Sequence, residues 1–84
     1  MRIDKFLKVS RLIKRRETAK ELCDDGDVLI NQKTAKPMSE IKEGDIVSLS
    51  LGKHFIEIKV KEIRPFAKKE QAAAMFEIVL DKTL

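Results

Sequence analysis

Apolar residues in the first nine positions fall at Ile3, Phe6 and Leu7, the spacing of one helical face, with Lys5 and Lys8 on the other side. Asp4 stands where it could cap the helix start. Leu12 and Ile13 open a second apolar patch, so the chain is expected to turn near Val9–Arg11. Ala19, Leu22 and Cys23 repeat the i, i+3, i+4 spacing and predict a second helix from about Arg16 to Asp24. Gly26 follows where a left-handed residue would end it.

Beyond Gly26 the period becomes strand-like. Val28 to Ile30 is β-branched and apolar, and "NQK" reads as a tight turn back into "TAK". Gln32 takes a turn position that glycine would fill more easily, which leaves the turn type open. Pro37 interrupts the pattern. "KEGD" then turns into a strand where Val47, Leu49 and Leu51 alternate with Ser48 and Ser50. Gly52-Lys53 connects it to a strand where Ile56, Ile58 and Val60 alternate with Glu57, Lys59 and Lys61. These two strands form the clearest hairpin, each with one buried and one wet face. Pro65 ends the second strand, "AKKEQAAAMF" predicts about two turns of helix, "FEIVL" a last strand, and "DKTL" a frayed tail. The architecture expected is α+β: two N-terminal helices packed on a small, mostly antiparallel sheet, with a short C-terminal helix and strand.

Length adds that 84 residues suffice for a single domain with one modest core. The 43% hydrophobic content is that of a folded chain despite 38% charged residues. Apolar runs are too short for a membrane span, and "MRIDKFLKV" interleaves charge too finely for a signal peptide. A lone cysteine, Cys23, has no intramolecular partner; together these features favour a reducing, cytoplasmic setting.

Charge changes the picture more. The net charge is +4, yet residues 1–20 hold eight Lys/Arg against Asp4 and Glu17, and the other residues carry ten basic and twelve acidic groups. All of the excess positive charge lies in the first quarter of the chain, which points to an anionic partner met by one face, foremost a nucleic acid. A membrane surface fits less well, because the segment lacks the broad apolar face of an interfacial helix.

Catalysis finds little support. The single histidine, His54, reads as a surface or edge residue at a strand start, and Cys23 as a small buried hydrophobe. One Cys and one His make no zinc set. Gly26, Gly44 and Gly52 are scattered over turns and form no phosphate loop. Asp24, Asp25 and Asp27 lack the spacing of a calcium loop and read as a solvated turn. No catalytic residue, metal or cofactor is expected. Binding remains. Arg2, Lys5, Lys8, Arg11, Lys14 and Arg15 recur at intervals that can share one outward side, with few acids to make the face a lattice of salt bridges. Arginine forks match phosphate oxygens and lysines add less directional charge. About five to seven phosphate contacts would give a log–log salt slope of roughly −3.5 to −6. There is no Trp or Tyr, and the four Phe mostly sit in apolar patterns, so base stacking is disfavoured against shape and backbone recognition of folded RNA. A helix-turn-helix DNA reader would want more polar side chains for base edges than the Thr18 that helix two offers.

The order of residues Arg2-x-Asp4, Leu7, Arg11-Leu12, Arg16, Ala19, Gly26, Val28-x-Ile30-Asn31, Lys36-Pro37 and Gly44-Asp45 resembles the S4 RNA-binding domain family over about residues 1–51, leaving a C-terminal β/α extension at about 52–84. With "MRIDKFLKVSRLIKRR" and "KKEQAAAMFEIVL" the whole chain is similar to the RqcP (YabO) group of small stand-alone proteins. More distantly it is similar to the heat-shock-induced bacterial protein that binds obstructed large ribosomal subunits. The resemblance implies an S4-like fold. It also implies a non-enzymatic factor of ribosome-associated quality control, binding large-subunit rRNA and peptidyl-tRNA and assisting an RqcH-type factor in alanine tailing of stalled chains. A monomer is expected. By the same resemblance Arg2 and Arg16 are the foremost rRNA contacts, supported by Lys5, Lys8, Arg11, Lys14 and Arg15. The alternatives are a general ribosome assembly or translation factor, or the RNA-targeting subunit of an RNA-modifying enzyme. Two departures from the family pattern stand out. Asn31-Gln32 replaces the frequent Asn-Gly, and Arg15 replaces a serine that would cap helix two.

Overall fold

The computed structural model describes residues 1–84. Helices α1 (Ile3–Val9) and α2 (Arg16–Asp24) precede the strands β1 (Val28–Ile30), β2 (Lys33–Thr34), β3 (Ile46–Leu51) and β4 (His54–Val60). Helix α3 (Lys69–Ala73) and strand β5 (Phe76–Thr83) follow. The strands make one antiparallel sheet in the order β2-β1-β3-β4-β5. Ile3, Phe6 and Leu7 of α1 and Ala19 and Cys23 of α2 share a single core with Val28, Val47, Leu49, Ile58, Val60 and Met75. The fold is therefore the expected α+β arrangement, with the apolar stripe of each helix spent on the same core as the sheet. No helix is long and apolar enough to cross a membrane.

The helix ends show how this sequence is punctuated. Asp4 does not cap α1: the N-cap position is Arg2, which makes no side-chain cap. The segment after Pro37 supplies the acceptors instead, Ile3 N–H donating to the Ser39 carbonyl (2.7 Å) and Asp4 N–H to the Pro37 carbonyl (3.3 Å). Because tertiary backbone closes the helix start, the Asp4 side chain is released for another task. The turn after α1 falls where expected, with Arg11 in the left-handed region at φ 64°. Helix α2 has the expected bounds. Its N-cap residue is the extended Arg15, which makes no side-chain cap, and it ends through Gly26 (φ 80°), whose N–H donates to the Cys23 carbonyl while Asp27 N–H reaches that of Leu22.

The "NQ" turn resolves as a two-residue hairpin between Ile30 and Lys33, with Asn31 (φ 49°) and Gln32 (φ 70°) both left-handed, the pattern of a type I′ turn. Asn31 makes this tolerable. Its side-chain amide donates to Asp45 Oδ1 (3.1 Å) and its oxygen accepts from Ile46 N–H (3.0 Å), tying the turn to the start of β3.

Three further expectations need correction. Ser48, assigned to a wet face, is buried: it lies on the central strand between the longer Leu29 and Glu57, and its hydroxyl donates to Glu57 Oε2 (2.7 Å). Helix α3 is shorter than two full turns, spanning five residues. The tail is not frayed, because Asp81, Lys82 and Thr83 extend β5 by pairing with Ile56, Phe55 and His54 on the free edge of β4.

Candidate nucleic-acid interface

Asp4 is fully buried, and both of its oxygens are engaged. Oδ1 accepts from the Lys5 backbone N–H (2.7 Å) and from Arg16 Nη2 (3.3 Å), and Oδ2 accepts from Arg2 Nη2 (3.1 Å). Helix α1 supplies the carboxylate, the residue before it supplies one guanidinium, and the first turn of α2 supplies the other. Burial on its own would push the Asp4 carboxyl up. The hydrogen bond from Arg16, the Lys5 N–H and the charges of Arg16 and Arg2 outweigh it and hold the group below its ordinary value of 3.8. The carboxylate is thus ionised at neutral pH and cancels only one of two positive charges. Each arginine side chain keeps 42% of its surface exposed. A guanidinium has five N–H donors. Arg2 Nε is buried and has no hydrogen-bond partner, while the 42% of each side chain still exposed leaves both groups reachable from solvent and already held in place.

Lys8, Arg11 and Lys14 gather elsewhere. They line a groove of about 500 Å³ together with Val9, Ile13, Phe66 and Ala67, and no acidic side chain borders it. Arg15 is exposed ahead of α2, and Lys5 is half-buried on α1. The seven residues singled out in the sequence therefore divide. Arg2 and Arg16 are joined at Asp4, Lys8, Arg11 and Lys14 share the groove, and Lys5 and Arg15 belong to neither. Apart from Arg2 and Arg16, none of the seven makes an ion pair. Unpaired cations on a protein surface repel one another, and an incoming polyanion relieves that repulsion.

Two contributors escaped the sequence reading. Asp4 looked like a cap, although its place two residues after Arg2 in a strongly basic segment was a signal. Phe66 was grouped with the apolar patterns, yet it is 80% exposed; its position in "RPFAKK", just past a proline and among cations, was the available hint. Other reactive groups lie apart from these clusters. Cys23 is buried, and burial, with the charges of Asp4 and Asp24 adding to it, pushes its thiol up to about 11. His54 pairs with Asp81 across β4 and β5. No group of three or more His, Cys, Asp or Glu side chains is placed to hold a metal ion.

The family model described as S4 domain matches residues 1–47. The RQC P-site tRNA stabilizing factor of Bacillus subtilis (strain 168) is 46% identical over 84 residues, covering 100% of this chain and 98% of the relative. The protein of the same name from Listeria monocytogenes is 44% identical over 82 residues, covering 98% of this chain and 89% of the relative. Among solved structures, the trimeric Heat Shock Protein 15 of Vibrio cholerae superposes with a TM-score of 0.87 at 25% identity, over 94% of this chain and 81% of that one.

Proposed function

This chain belongs to the S4 domain family and to the RQC P-site tRNA stabilizing factors, and from that premise we propose that it binds large-subunit rRNA and peptidyl-tRNA on obstructed large ribosomal subunits. In that role it steadies the P-site tRNA while an RqcH-type factor adds alanine to the stalled chain. It acts by binding, without catalysis. The observation that carries this reading is the pair of guanidiniums held by buried Asp4, each still partly exposed, in a segment whose other cations make no ion pair. Bidentate arginine forks suit phosphate oxygens, and fixing them in advance lowers the ordering cost of binding. Arg2 and Arg16 are the principal contacts, with Lys5, Lys8, Arg11, Lys14 and Arg15 in support.

The test is co-sedimentation of tagged protein with large subunits, followed by sequencing of the bound RNA. Removing both arginines would strand the buried Asp4 carboxylate, so the informative variants are Arg16→Ala, which leaves Arg2 on Asp4, and the triple change Arg2→Gln, Asp4→Asn, Arg16→Gln, which removes the orphan charge too. Both are expected to fold and to lose subunit association by at least about tenfold, in line with lost charge-assisted hydrogen bonds of roughly 1.5–3 kcal/mol. Reversing Lys59 and Lys61, which lie in and just past β4 and belong to neither cluster, should matter little. Folded Arg16→Ala and triple variants that co-sediment like the unaltered protein would show the assigned face to be wrong. Recovery of precursor rRNA without tRNA would favour an assembly factor.

A further inference from the structure

The groove beside Phe66 holds chemistry that phosphate recognition alone does not use. Phe66 is the most exposed of the large apolar side chains, yet its loop is anchored. Ile63 and Ala67 on either side pack against the core, and Pro65 restricts the backbone immediately before it. The ring is presented from a fixed loop. It borders the same groove as Lys8, Arg11 and Lys14, which come from the end of α1 and the connection to α2. None of these three cations is paired within the protein, and no carboxylate lines the groove. A volume of about 500 Å³ is within the range of small-ligand sites.

Each half of the groove excludes a simpler occupant. An apolar side chain from a protein partner would cover the ring but leave three cations uncompensated. A continuous RNA duplex would satisfy the cations but offers its bases stacked and out of reach of a ring. A nucleotide turned out of its helix satisfies both at once, its base stacking on the aromatic face and its flanking phosphates meeting the cations. We propose that this groove receives one unpaired RNA nucleotide, with Phe66 as the stacking platform and Lys8, Arg11 and Lys14 as the phosphate contacts. The inference rests on the RNA-binding reading above and adds a subsite that discriminates unpaired from paired RNA.

The experiment measures fluorescence anisotropy of three labelled RNAs at fixed salt: a hairpin with an unstructured loop, the same hairpin with an abasic loop, and a blunt duplex. Phe66→Leu keeps the apolar bulk at an exposed site and should not disturb folding. It is expected to bind the base-bearing loop roughly 10- to 100-fold more weakly, the effect of removing one stacking partner, while the other two RNAs are bound as before. Phe66→Trp should restore loop binding. It also places a single tryptophan in a chain that has none, so stacking of a base on the indole should quench its emission. Separate titrations of that variant with tRNA and with large-subunit rRNA identify the source, since the RNA that donates the nucleotide quenches. Phe66→Leu binding all three RNAs normally, or weakening all three equally, overturns the subsite while leaving RNA binding in place. Normal RNA binding with lost subunit association would make Phe66 a protein contact and likewise overturn it. If the unaltered protein binds none of the RNAs, the RNA-binding reading itself falls.

Discussion

A buried carboxylate organises the two arginines expected to matter most. Asp4 is inaccessible, while its partners Arg2 and Arg16 remain partly in water, so the cost of desolvation falls mainly on one ion and is offset by three donors. Asp4→Asn is expected to destabilise the protein by about 3 kcal/mol, the lower end for breaking a buried pair, because the freed arginines can rehydrate. The pH dependence has a definite sign. The native Asp4 carboxyl lies below 3.8, so on acidification the unfolded chain takes up the proton first. The stabilisation from Asp4 is therefore complete above about pH 3.8 and is lost as pH falls through the lower native value. Thermal melts from neutral to strongly acid pH should show Asp4→Asn with a flatter acid limb than the unaltered protein; parallel limbs would exclude Asp4 as a stabilising anion.

At the scale of elements, the β1–β2 hairpin shows how a local weakness is repaired by a distant contact. Both turn residues take positive φ without a glycine, a conformation asparagine tolerates better than glutamine. The Asn31 amide adds bonds to Asp45 and to the Ile46 N–H that no glycine could make. Asn31→Ala should therefore cost about 2 kcal/mol in chemical denaturation, from the left-handed backbone and the lost bonds together. Gln32→Gly should change stability by less than about 1 kcal/mol, because relief of strain offsets the added entropy of the unfolded chain. A larger loss for Gln32→Gly than for Asn31→Ala would place the critical contact at the wrong residue. The predicted bounds of α2 and β1 were read correctly because Gly26 separates two clean periods at the point of change. The reach of β5 was not legible: Asp81 to Thr83 have no apolar signal, and they become strand only because the edge of β4 offers them backbone partners.

Over the whole molecule, charge is divided so that most of the basic side chains in the first twenty residues are left without an ion pair. The groove cations and the Asp4 arginines are two separate clusters from this segment, while the exposed pair Lys61–Glu77 (3.7 Å) joins the residue just past β4 to β5. The affinity for large-subunit rRNA, measured from about 50 to 200 mM salt, should fall with a log–log slope of roughly −3.5 to −6. Each of Lys8→Ala, Arg11→Ala and Lys14→Ala should reduce that slope by roughly 0.7 to 0.9 if its side chain meets a phosphate. A slope unaffected by all three would remove the groove from the interface.

The sequence by itself determined the helices of the N-terminal pair, the alternating strands and the concentration of positive charge in the first twenty residues. These follow from local periodicity and counting, which need no knowledge of where the chain goes next. It also carried the S4 pattern, because that pattern is an order of residues. Only the tertiary structure decided that Asp4 would be withdrawn from helix capping to join Arg2 and Arg16, and that Phe66 would border the groove lined by Lys8, Arg11 and Lys14. Each of these depends on packing that brings together residues far apart in the chain, and a buried ion or an exposed ring is defined by its neighbours rather than by its own side chain.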